Sequence, residues 1–283
     1  MMRRSLFILL PILAAACGRG TPASTPAAGV APIAAAGAAT PQLLDSLWAE
    51  LDSAHAHGKW DDVVTLSDRF SLEVPAGDAR VTRAHLYRGD AYFGKHDYLQ
   101  AAREFRRVSD ENPLDPLAPE GLLRVGDSYA KLWRRPELDA TYGQTALATY
   151  QELLTRYAGT DAAKQGQERI TGLNEKFAIK AFKSAQYYMR LKAYDSAIIY
   201  LKDLVVSYPR AAIVPTALVR LIDAYRAINY QEDVQETCEY LRKYHAGNAD
   251  ALKTCAGVPA PSAPATPAPV APAPAAPAPT PGT

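Results

Sequence analysis

The sequence predicts an all-α fold of stacked helix-turn-helix units. Between Pro41 and Cys255 the apolar residues step by three or four, the spacing of one helix face, and nothing resembles a strand-rich block. Within that stretch one spaced series of small, aromatic and proline residues returns several times. The flanks differ from it: both are rich in Ala and Pro and nearly free of charge.

Met1-Met2-Arg3-Arg4 opens the chain, and Ser5 to Ala16 follows without a charge. A basic start, a short apolar run and small residues at its end form a secretory signal. The run is too short for a bilayer span, which needs roughly 20 residues. It closes on Leu13-Ala14-Ala15-Ala16-Cys17 and resembles a bacterial lipoprotein signal with its lipobox. That resemblance implies that Cys17 is acylated, palmitate included, and becomes the first mature residue. An ordinary secretory signal with an incidental cysteine is the alternative. Ala14 stands where lipoboxes most often carry Leu. Gly18, not Asp, follows the cysteine, which by resemblance directs the chain to the outer membrane. Gly18 to Thr40 carries no charge after Arg19, cannot bury enough surface to fold, and reads as a disordered tether. About two dozen coil residues span on the order of 25–30 Å.

The formal net charge is +1 and becomes about −1 once Arg3 and Arg4 are removed. That balance gives no reason to expect nucleic acid as a partner. Apolar residues at 48% suffice to fill a core, and three cysteines are too few for a disulfide scaffold.

The helical units follow in order. A degenerate first one runs from Leu51 through Val63 to Pro75. The second, Arg83 to Pro113, shows the series best: Gly89, Tyr92, Ala101, Phe105 and Pro113, the offsets of a tetratricopeptide repeat of about 34 residues. Gly89 is expected to let the second helix cross closely at Ala101, with Tyr92 and Phe105 filling the gap toward the next unit. Pro113 cannot continue a helix and stops it. The third unit has Gly126, Tyr129, Ala146, Tyr150 and Leu153, with eight extra residues within Trp133 to Gly143 and no closing proline after Tyr157.

From Thr160 to Leu191 there is no proline, and Ile170, Leu173, Phe177, Ala181, Ala185 and Tyr188 keep one apolar face, which predicts one long helix. Two helices broken near Gly172 are the alternative. Ala185, Tyr188, Ala197, Leu201 and Pro209 make the fourth unit; Tyr225, Val234 and Leu241 make a degenerate fifth. Weak terminal units are expected, since they must present a polar outer face. Val258 to Thr283 holds ten prolines and reads as a solvated polyproline-like tail, a spacer, a cell-wall or proline-reader ligand, or idle sequence. The chain thus divides into a signal (1–16), lipidated cysteine and tether (17–41), repeats 1–3 (42–159), long connecting helix and repeats 4–5 (160–255), and tail (256–283). Cys238 and Cys255 either form one bridge or stay as two buried thiols.

A lipobox, a tether and five such units together resemble the BamD family of outer-membrane assembly lipoproteins. Arg135-Pro136-Glu137-Leu138-Asp139-Ala140-Thr141-Tyr142 resembles that family's insertion in its third unit, and Ala185 to Pro209 resembles its fourth. The similarity covers roughly Leu43 to Tyr244. It implies a non-enzymatic scaffold on the periplasmic face of the outer membrane, held in the bilayer through Cys17. A BamA-type barrel insertase and other lipoproteins of the same machinery are the implied partners. The C-terminal half would hold the insertase, and a groove in the N-terminal half would present unfolded outer-membrane proteins. A periplasmic repeat lipoprotein scaffolding cell-wall synthesis or envelope constriction is the alternative.

First helices line the concave face of such a superhelix. Asp52, Asp90, Asp127 and Asp223, with Gln186 in the fourth unit, are expected to form an acidic ladder there, favouring amides or basic side chains over a carboxylate. Solvated polar positions are the plainer account. Trp48, Leu86, Phe93 and Leu123 fall on the same or adjacent faces as candidate anchors, or as core. Lys180, Lys183, Lys192, Lys202 and Arg190 could form an interaction patch or a solvated face. His55 and His57, two apart, point away from each other and make a poor metal pair. No Cys-x-x-Cys, phosphate loop, G-x-S-x-G or H-E-x-x-H is present, so neither cofactor, metal nor catalysis is expected.

Overall fold

A computed structural model describes residues 40–259. The signal, Cys17, nearly all of the tether and the tail beyond Pro259 lie outside the described residues. Those described form eleven helices and no strand. They pair as hairpins: α1 (Pro41–Ala56) with α2 (Trp60–Glu73), α3 (Arg80–Gly94) with α4 (Tyr98–Glu111), α5 (Ala118–Leu132) with α6 (Thr141–Arg156), α7 (Asp161–Arg190) with α8 (Tyr194–Ser207), and α9 (Val214–Ala227) with α10 (Gln231–Tyr244). A short α11 (Ala249–Lys253), not anticipated from the sequence, closes the array. Each helix packs on its neighbours in sequence; α5 also meets α7, and α9 meets α11.

Local chemistry sets the helix ends. Thr40 caps α1 through Leu43 N–H and Thr160 caps α7 through Ala163 N–H. Pro113 and Pro209 fall just past α4 and α8. After α6, where no proline stands, Gly159 at φ +83° takes the left-handed conformation in the turn that leads into α7. The first, second, fourth and fifth hairpins turn through a left-handed residue two places before the second helix: Gly58, His96, Lys192 and Asn229. The third has the inserted loop instead.

The glycines of the series are close-approach positions, with one change from expectation. A Cβ on Gly89 would stand 2.5 Å from the Phe105 ring, and one on Gly126 would stand 2.3 Å from the Tyr150 ring. The space is filled by the aromatic side chain rather than by the backbone at Ala101, which is itself fully buried. The same device recurs at Gly143, where a Cβ would stand 2.3 Å from Trp133.

The core is a chain of local clusters, as expected where each unit buries its face against the next. Leu44, Leu47, Leu51, Val63 and Phe70 fill the first, and Phe105, Val108 and Val125 another. Trp133, Tyr150, Leu153 and Phe177 join α5, α6 and α7. The last cluster holds Leu201, Ile222, Leu241 and the disulfide Cys238–Cys255.

Helix α7 continues for 30 residues through Gly172, around which nothing lies within Cβ reach. The inserted loop 133–140 is fastened to it by lysines at successive turns. Lys176 donates to the Trp133 carbonyl, Lys180 to the Leu138 carbonyl at 2.9 Å, and Lys183 pairs with Glu137. Lys180 and Lys183, read from sequence as an exposed patch or a solvated face, hold the loop instead.

Candidate functional site

The three N-terminal ladder aspartates sit on successive first helices, and each is met by a side chain from the next first helix. Tyr87 Oη donates to Asp52 Oδ1 at 2.7 Å. Arg124 pairs with Asp90, whose other oxygen lies 3.0 Å from His55 Nε2. Arg169 Nε donates to Asp127 Oδ1 at 3.0 Å, and Tyr150 Oη donates to the same atom at 2.7 Å. Burial and the neighbouring carboxylates push the Tyr87 hydroxyl up to about 12 and Tyr150 higher, so both stay protonated donors. Asp223 is held within its own helix by Arg220 at 3.3 Å. The ladder is therefore not a free acidic surface. Its carboxylates tie one hairpin to the next because the following helix supplies a donor at the matching height.

The anchor candidates separate. Leu86 and Leu123 are core residues. Trp48 is half-buried, stacked on Tyr87 at 5.9 Å and tilted against Phe70 at 5.3 Å. Phe93 is half-buried beneath the Arg124 guanidinium, 4.7 Å from its ring centroid. His55 faces Asp90 and stacks on Tyr87, whereas His57 turns to the Ser53 carbonyl, so the two share no ligand position.

A groove of about 780 Å³ runs between α5 and α7, lined by Phe93, Tyr150 and the basic residues Arg124, Lys131, Arg134, Arg169 and Lys176, with Asp127 and Glu168 as its acids. Burial lowers the Lys176 pKa, and its ammonium lies 4.6 Å from the Trp133 ring centroid. The Trp133 indole Nε1–H is buried and has no acceptor.

A second surface was missed by the sequence reading. Tyr187 and Leu191 at the end of α7 and Ile199 and Tyr200 on α8 are exposed, Ile199 by 67%. Tyr200 stacks on Tyr188 at 5.3 Å, and Tyr188 meets Tyr187 edge-on at 5.4 Å. A shallow cleft of about 390 Å³ beside them is bordered by Lys180, Lys183 and Glu137. The signal was present: Ala197-Ile198-Ile199-Tyr200-Leu201 is an unbroken apolar run, and a helix buries only one side of such a run.

Stacked hairpins whose polar side chains lock unit to unit, with an open groove and an exposed apolar face, define a tetratricopeptide-type repeat protein. Among the described residues no helix is long and apolar enough to cross a membrane. The chain belongs to the YfiO family of outer membrane lipoproteins, matched over residues 54–241. Two curated relatives, each named outer membrane protein assembly factor BamD, are similar to it. The Caulobacter vibrioides protein is 23% identical over 63% of this chain and 58% of its own length. The Vibrio cholerae protein is 24% identical over 69% of this chain and 85% of its own. Among solved structures, the TPR2AB domain of yeast Sti1 in its pHSP90 complex aligns at TM-score 0.39 and 14% identity, over 76% of this chain and 89% of that one. A likeness at that level adds nothing to the architecture already described.

Proposed function

We propose that this chain is a lipid-anchored, non-enzymatic scaffold of outer-membrane barrel assembly, acting on the periplasmic face. Acylated Cys17 holds it in the bilayer. The C-terminal half docks on a BamA-type barrel insertase, alongside other lipoproteins of that machinery. The groove along the first helices holds unfolded outer-membrane proteins in extended form for insertion. Kinship with two assembly factors supports the setting. The observation that carries the docking is the exposed apolar face of Tyr187, Leu191, Ile199 and Tyr200, on the half expected to hold the insertase. Clustered exposed apolar residues of this kind mark protein contacts.

The reading is tested by purifying the full chain from its own membranes in mild detergent. A barrel insertase should accompany the wild type, and Leu191→Glu with Ile199→Glu should lose it while helical content stays the same. An unmodified protein that brings down no barrel insertase removes the reading.

A further inference from the structure

We propose that the groove between α5 and α7 prefers an extended polypeptide segment bearing several side-chain carboxylates. This rests on the groove being a polypeptide site, and it reverses the preference that the aspartate ladder suggests in sequence. Those aspartates are occupied: Asp90 by Arg124 and Asp127 by Arg169. What is left over is positive. Lys131 and Arg134 form no ion pair among the described residues, and Lys176 finds only a neutral carbonyl and an indole ring. Against these three cations stands one free carboxylate in the lining, Glu168.

Position selects the occupant. Lys131 lies in the last turn of α5 and Arg134 just beyond it, and Lys176 reaches across from the middle of α7 to the carbonyl of Trp133, which stands between them in the chain. Three cations against a single free acid in one groove complement a segment with several acidic side chains better than one terminal carboxylate. The half-buried Phe93 ring offers apolar surface in the same lining. Lys176, desolvated without an acidic partner, has the most to gain from an incoming carboxylate.

The test uses the full chain in detergent and fluorescent ten-residue peptides followed by anisotropy. One peptide carries three internal Asp residues and an amidated end. A second has Asn in their place. A third is the Asn peptide with a free terminal carboxylate. The acidic peptide should bind about ten-fold tighter than the Asn peptide at low salt, and the gap should close in 0.5 M salt. Lys131→Gln with Arg134→Gln, both exposed, with helical content checked by circular dichroism, should erase the preference. Equal binding of the first two peptides, a preference that survives both substitutions, or a free terminus that serves as well as three internal acids would overturn the proposal. No acid preference in the unmodified chain, with its insertase co-purification intact, removes this groove assignment alone. Retained preference without co-purification removes the scaffold reading and leaves the groove.

Discussion

Single residues decide how closely the hairpins approach. Gly126 is where the Tyr150 ring packs against the glycine, and Tyr150 is itself wholly buried with its hydroxyl on Asp127. Gly126→Ala gains up to about 1 kcal/mol in helix propensity and loses about 1–3 kcal/mol to overpacking. A net loss of about 1–2 kcal/mol is expected in urea unfolding. Glu104 shows a second kind of residue effect. Burial opposes its charge, but hydrogen bonds from His85 and Arg88 and the charges of Arg88 and Arg107 outweigh it, so its pKa falls below the usual carboxylate range. A carboxyl that is more acidic folded than unfolded contributes stability above its unfolded pKa, near 4.3, and loses it as pH falls toward the folded value. Glu104→Gln should cost about 1–3 kcal/mol near neutrality, and its melts should draw toward the wild type as pH falls from the unfolded pKa toward the lower folded one. At this scale the sequence was legible in part. Gly89, Gly126 and Tyr150 announce close contact by type and spacing. That Asp52, Asp90 and Asp127 face inward to a partner could not be read, because Tyr87, Arg124 and Arg169 lie 35, 34 and 42 residues away.

Among the described elements, α7 is the longest. Its length follows from an apolar face sustained from Ile170 to Tyr188, about five turns, and from the absence of proline, both visible in the sequence. Gly172 is its weak point: it has helical neighbours, nothing crowds it, and its backbone is not left-handed. Gly172→Ala should therefore stabilise the protein by about 0.5–1 kcal/mol, read as a shift of the urea midpoint with unchanged slope. The inserted loop was legible as an insertion but not as a fixed element. Its anchors, Lys176, Lys180 and Lys183, are three and four residues apart, which is equally the pattern of a solvated helix face. Only the packing of Trp133 on Phe177, with ring centroids 4.6 Å apart, shows which of the two it is. The left-handed turn at Lys192 was likewise invisible, whereas Gly58 signals that conformation by its residue type and Asn229 and His96 do so more weakly.

Across the whole molecule, stability is a sum over neighbouring hairpins, and the two ends are not alike. The C-terminal end is closed by α11, by the Cys238–Cys255 bridge and by Arg242, which donates to the carbonyls of Cys255 and Val258. Closing a loop of this length contributes about 3 kcal/mol by constraining the unfolded chain. Cys238→Ser with Cys255→Ser should lower the unfolding free energy by about that much, and a reducing agent should lower the wild type similarly while leaving the variant unchanged. Two cysteines 17 apart suggested a bridge in the sequence without deciding it.

A row of hairpins bolted at one end behaves like a zipper with a single stop. Strain applied anywhere should be released first at the unbolted side, with α1 and α2 exchanging their amide hydrogens earliest and α9 and α10 last. The scaffold would then loosen at the end that leads toward Cys17 while the opposite end keeps its shape.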